Sequence, residues 1–193
     1  MLGLQLETDP RWVDIASKSI EEILVDHAFC EQKAASSGIS LIVLYSDKQE
    51  LVDELTEIVA EEWSHFERVL SELKKRGFSL GPPRKDAYVA RLMKLENKGG
   101  SRNQQLCEKL LICALIEARS CERFKLLYEN LADADLKKFY YEFMVSEAGH
   151  YVSFVNLAKK YQPEEKVKNR LRELLEGEAA IIRDLEWRPD RVH

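Results

Sequence analysis

The turn signals in this sequence are few and far apart, and that sparsity limits the fold more than any other feature. Asp9-Pro10 opens a short helical segment. An apolar-periodic run then extends from about Ser19 to Tyr45, with Leu24, Ala28, Ala35 and Ile42 on one stripe. Ser46-Asp47 reads as a turn and N-cap before a second run, Lys48 to Arg76, whose stripe includes Leu51, Leu55, Ile58, Val59, Phe66, Val69 and Leu73. Apolar residues recurring every three or four positions are the mark of amphipathic helices. Residues 77–102 break the pattern with Gly77, Gly81-Pro82-Pro83, a short helix near Asp86–Asn97, and Gly99-Gly100-Ser101. Two more long helices follow, from about Asn103 to Asn130 and from about Asp133 to Tyr161. Pro163 suits the first turn of a C-terminal helix over 163–187. No stretch reads as a strand.

The expected fold is therefore all-α. Tight turns join the first long helix to the second and the third to the fourth, so each pair is an antiparallel hairpin. Residues 77–102 are long enough to carry the chain back between hairpins. Two hairpins with one long crossover make a ferritin-like four-helix bundle rather than a simple up-down one, with short and C-terminal helices added. A length of 193 residues suits a single domain over 1–193.

Composition narrows the function classes. With 45% hydrophobic residues, 8 Gly and 5 Pro, the chain is neither disordered nor collagen-like. No apolar run approaches the roughly 18 residues of a membrane span. Met1 to Pro10 carries acids rather than a basic, apolar export signal. Cys30, Cys107, Cys113 and Cys121 stand singly in helical stretches, which suggests buried thiols in a reducing cytoplasm. The net charge is −5, yet residues 68–102 hold ten Lys/Arg against three acids, leaving +7 there and −12 elsewhere. A basic stretch on an acidic chain suits a polyanion, and equally suits a solvated face.

The motif Glu-x-x-His occurs twice, as Glu62-Trp63-Ser64-His65 and Glu147-Ala148-Gly149-His150. A single match is weak. Here, however, residues three apart share a helix face, and in both cases that face is the apolar one. The preceding helices each supply a glutamate on the buried stripe, Glu31 and Glu117. Glu31 precedes Glu62 by 31 residues and Glu117 precedes Glu147 by 30; the two motifs are offset by 85 and the two lone glutamates by 86. A hairpin carrying Glu and then Glu-x-x-His has been written twice. Four carboxylates and two imidazoles in a bundle core are costly to bury unless they pair into a satisfied polar core or bind a cation, and they match the ligand set of a dinuclear iron or manganese site. His27, one turn before Glu31, is either a partner of that carboxylate or a core histidine, and both readings stay open. Asp26 and Arg119 either orient ligands or are ordinary surface charges. Glu61, Glu122 and Glu142 are expected to face solvent, and Trp63, Tyr140, Tyr141, Phe143 and Tyr151 to pack. Small residues from Ala34 to Gly38 either leave room for an apolar substrate tail or allow close helix packing.

The segments Asp26-His27-Ala28-Phe29-Cys30-Glu31-Gln32-Lys33-Ala34-Ala35, Leu115-Ile116-Glu117-Ala118-Arg119-Ser120 and Ser146-Glu147-Ala148-Gly149-His150-Tyr151 resemble those of the tRNA hydroxylase family MiaE. The resemblance implies a non-haem di-iron, O2-dependent monooxygenase. Its substrate would be the isopentenyl group of 2-methylthio-N6-isopentenyladenosine, next to the tRNA anticodon. It implies Glu31, Glu62, His65, Glu117, Glu147 and His150 as ligands of two Fe ions, with no separate acid or base. Related monooxygenases often carry Thr where this chain has Cys121, so a hydroxyl relay there is in doubt; Cys121 and His27 are candidate neighbours of the ligands. Lys74, Lys75, Arg76, Arg84, Lys85 and Arg91 are candidate contacts to the anticodon stem-loop. With no flavin or iron–sulfur motif, an external reductase or ferredoxin is expected as electron donor. The alternative is another ferritin-like di-iron or di-manganese redox enzyme: a ferroxidase, peroxidase or catalase.

Overall fold

The computed structural model describes residues 2–185 and 192, and every regular element among them is helical. The helices are α1 (Arg11–Ala16), α2 (Ile20–Leu44), α3 (Gln49–Lys75), α4 (Ala87–Leu92), α5 (Arg102–Asn130), α6 (Ala134–Tyr161) and α7 (Glu164–Asp184), with a 3-10 turn at Met93–Leu95. The four long runs expected from periodicity are all present, within three residues at each end. The C-terminal helix has Pro163 as its N-cap, as its fixed backbone angle favours, but ends at Asp184. Residues 186 and 187, where it was expected to continue, lie outside the described residues.

The chain divides into two compact units, residues 14–85 with 188–192, and residues 1–13 with 86–187 and 193. In the first, α2 and α3 form a hairpin closed by a tight turn in which Tyr45 N–H donates to Leu41 O and Lys48 N–H to Tyr45 O. The N-cap is Lys48, with no side-chain cap, rather than Ser46-Asp47. The expected stripes are buried, with Leu24, Ala28, Leu51, Leu55 and Val69 all fully enclosed. Gly38 marks a close approach of α2 to α3: a Cβ there would lie 2.5 Å from Val59 Cγ2. Gly38 therefore serves helix packing, while Ser36 and Ser37 are exposed. Replacing Gly38 by valine should cost about 1–3 kcal/mol through overpacking, seen as a lower urea midpoint at unchanged m-value.

In the second unit α5 and α6 form the corresponding hairpin. A capping box at Ser101 and Gln104 starts α5, and Asp133 caps α6 by accepting from the N–H groups of Asp135 and Leu136. Helix α7 and the N-terminal segment are fastened to α5 by a buried charge network. Arg119, fully buried, donates to both carboxylate oxygens of Glu178 at 2.9 and 3.0 Å, to Glu122, and to Leu6 O. Thr8 donates its N–H and its hydroxyl to the Glu122 carboxylate, at 2.6 and 2.7 Å. Tyr88 donates to Glu178, and Arg123 lies 4.7 Å over the Trp12 ring. Two sequence expectations are corrected here. Glu122 is buried rather than solvent-facing, because Arg119 and Thr8 satisfy both its oxygens. Arg119 is neither a surface charge nor an orienter of metal ligands, because its guanidinium points to Glu178 and Glu122.

Candidate metal centre

Each hairpin carries one buried three-donor set. In the α2–α3 unit, Glu31 on α2 and Glu62 and His65 on α3 are all less than 5% exposed. One ligand atom from each lies within 4.8 Å of the other two. Glu31 Oε2 stands 3.3 Å from His65 Nδ1. Glu31 Oε1 stands 2.7 Å from Nε2 of His27, which is fully buried one turn earlier on α2. An ionised carboxylate can only accept, so His27 Nε2 carries the proton. Burial pushes the Glu31 carboxyl upward. The hydrogen bond and charge of His27, with bonds to His65 and Glu62, outweigh it and hold the group well below the usual carboxylate range. Burial also pushes the His27 imidazole below its ordinary value, against the pull of Glu31. On the far side of His65, Nε2 lies 3.6 Å from Glu61 Oε1, leaving Nδ1 turned toward Glu31. Glu61 is half-exposed, as expected. Asp26 is buried rather than a surface charge, and accepts the Val192 N–H at 2.7 Å.

In the α5–α6 unit, Glu117 on α5 and Glu147 and His150 on α6 are all buried, again with one ligand atom from each within 4.8 Å of the other two. His150 Nδ1 and Glu147 Oε2 are 3.9 Å apart. Cys121, one turn after Glu117, donates its thiol hydrogen to Met144 O at 3.2 Å. Burial, then the charge of Glu117, push that thiol up to about 12, so it keeps its proton. On the same two helices Phe124, Tyr140 and Phe143 form a buried aromatic cluster, with Phe124 5.5 and 5.9 Å from the other two rings. Trp63 and Tyr141 pack as expected, each against one ring (Phe66 and Tyr128, centroids 5.1 Å apart in both pairs), and are about half-exposed on their other side.

The donor sets fit a metal. Two carboxylates and one imidazole, nearly excluded from water, are donors that suit hard cations such as Fe or Mn, whose charge offsets the burial of the carboxylates. In each set the Glu-x-x-His spacing places both donors on one face, and the partner helix brings the third.

The six basic candidates behave differently from one another. Arg76 Nε donates to Glu72 at 2.6 Å, and Lys75 lies 3.7 Å from the same carboxylate. Arg84 pairs with Glu22 and donates to its carbonyl at 3.2 Å, and Arg91 pairs with Asp184 at 3.0 Å. Lys74 and Lys85 are exposed and have no acidic partner among the described residues.

Helical hairpins that each bury a Glu and a Glu-x-x-His define the class of ferritin-like carboxylate proteins that hold a pair of metal ions. A solved structure described as "Protein 43 with aldehyde deformylating oxygenase activity from Synechococcus" has the same ferritin-like fold. It superposes with a TM-score of 0.92 over 98% of this chain and 94% of its own, at 34% identity. The chain belongs to the family described as tRNA-(MS[2]IO[6]A)-hydroxylase (MiaE), whose pattern matches residues 2–193. A relative from Pseudomonas putida, named tRNA 2-(methylsulfanyl)-N(6)-isopentenyladenosine(37) hydroxylase, is 38% identical over 157 residues, 81% of this chain and 75% of its own. A protein of the same name from Salmonella typhimurium is 34% identical over 134 residues, 69% of this chain and 48% of its own.

Proposed function

We propose that this chain is an O2-dependent di-iron monooxygenase that hydroxylates the isopentenyl group of 2-methylthio-N6-isopentenyladenosine in tRNA. The carrying observation is the family match across residues 2–193, joined to two buried Glu/Glu/His sets at the positions the duplicated motif marks. Glu31, Glu62 and His65 are the metal ligands that the α2–α3 unit offers, and Glu117, Glu147 and His150 those that the α5–α6 unit offers. Bound iron supplies the oxygen-activating redox chemistry. Inserting one oxygen atom into an allylic C–H bond while the other leaves as water consumes two electrons and two protons. The chain has no redox cofactor motif of its own, so a separate reductase or ferredoxin delivers the electrons.

The side chains bind, shield and position. Their burial excludes water, and the Phe124, Tyr140 and Phe143 layer offers an apolar wall suited to a prenyl group. Cys121 holds its proton against Met144 O and does not relay one. Lys74 and Lys85 supply charge for the phosphates of the anticodon stem-loop, whereas Arg76, Arg84 and Arg91 are already bonded within their own units.

The deciding experiment is nucleoside mass spectrometry of tRNA from cells lacking the gene. The hydroxylated prenyl-adenosine should vanish and its precursor accumulate; an unchanged nucleoside profile overturns the assignment. Reversing Lys74 and Lys85 to glutamate should weaken binding of the stem-loop about tenfold or more at 100 mM salt and flatten its salt dependence, with iron content unchanged. Equal affinity at two salt concentrations would remove these lysines from the interface. The Synechococcus structure favours a second reading, oxygenation of an aldehyde. Turnover of an aldehyde by the iron-loaded protein, with tRNA left unmodified, would select it.

A further inference from the structure

The duplicated motif predicts two equivalent halves, but the structure makes them unequal at one position. One turn before the lone glutamate, the α2–α3 unit has His27 and the α5–α6 unit has Cys113. His27 is fully buried and its Nε2 lies 2.7 Å from Glu31 Oε1. That bond turns Glu31 so that its other oxygen, Oε2, stands 3.3 Å from His65 Nδ1, the spacing of two donors directed at one ion. Glu117 is just as buried, but no side chain of its own unit makes a hydrogen bond to its carboxylate among the described residues. The thiol nearest in sequence on its C-terminal side, Cys121, gives its hydrogen to Met144 O. Cys113 offers at most a weak S–H donor in the place of an imidazole.

Resting on the di-iron reading above, we infer that His27 is a positioning residue that makes the two metal subsites unequal. The subsite served by Glu31 and His65 is pre-organised and fills first; the subsite served by Glu117 must order its carboxylate on binding and fills second. A partner that fixes a ligand's orientation commonly changes metal affinity by about 10–100-fold, so the two steps should separate by at least about tenfold.

The test is an anaerobic titration of metal-free protein with Co(II), read by its visible d–d bands and by calorimetry, and repeated with Fe(II). Wild type should bind two equivalents in two resolved steps. His27→Leu should weaken the first step about tenfold or more, so that the steps merge, while the second step keeps its affinity. His27→Gln, whose amide N–H can reach Oε1, should restore the tight step, and Cys113→Ala, which removes only a weak S–H donor, should leave both steps as in wild type. A thermal melt of each metal-free variant separates lost folding from lost positioning. Two steps of equal affinity in wild type, or a wild-type first step in a folded His27→Leu protein, overturn the inference while leaving the di-iron reading intact. A wild-type protein that binds neither ion overturns the di-iron reading itself.

Discussion

Glu117→Ala should abolish hydroxylation and reduce bound iron from about two ions per chain to about one. Glu117 is the single donor that α5 contributes to its buried set, within 4.8 Å of donor atoms of Glu147 and His150, and alanine leaves nothing in its place. A dinuclear site acts through both ions, so loss of one should lower turnover by at least about a thousandfold, about 4 kcal/mol of barrier. The fold should survive, because the substitution removes a buried carboxylate rather than a packed side chain. Iron analysis, single-turnover hydroxylation and a thermal melt on one preparation check all three statements. Full activity with normal iron would strike Glu117 from the ligand set.

The second large effect lies in the network around Arg119. Arg119→Met should leave Glu178 and Glu122 without their cation in a site where Arg119 and Glu178 are both fully buried. Removing one partner of a buried ion pair costs about 3–5 kcal/mol. For a chain of this size that is a fall of about 6–20 °C in Tm. The pH dependence follows from Glu178, whose carboxyl burial already raises above its usual value, against the charge and hydrogen bonds of Arg119. A carboxyl with a raised folded-state pKa favours the folded protein below its unfolded-state value, and that advantage disappears as pH rises through the folded value. Without Arg119 the shift should grow, so the variant's deficit should shrink as the pH is lowered from 8 toward 5. Adding Glu178→Leu should recover part of the loss at pH 8, since an apolar pair needs no desolvated charge. A Tm within about 2 °C of wild type would show that the network does not hold α7 to α5.

Much of this architecture was legible in the residues. The four long helices followed from apolar periodicity and sparse turns, which are local properties. The burial of the six candidate donors followed from three-residue spacing on apolar faces and from the near-equal offsets of 85 and 86 residues. What misled was context. Glu122 sits among helical charges and looks exposed, yet it is buried because Arg119 and Thr8, 114 positions away, reach it. The candidate arginines of the basic window look available for phosphate, but Arg76, Arg84 and Arg91 each bond an acid in their own unit, whereas Lys74 and Lys85 have no acidic partner among the described residues.

The sequence by itself determined which segments are helical, how they pair into hairpins, and which donors face each hairpin's core. Each of those depends on residues within a few turns of one another. Only the tertiary structure decided that Glu31 is held by His27 while Glu117 has no such tether among the described residues, that Gly38 lets α2 approach Val59 of α3 closely, and that Arg119 fastens α7 and the N-terminal segment to α5. Those outcomes depend on side-chain rotamers and on which distant groups arrive within about 3 Å, the range over which a hydrogen bond forms, and no periodicity encodes that distance.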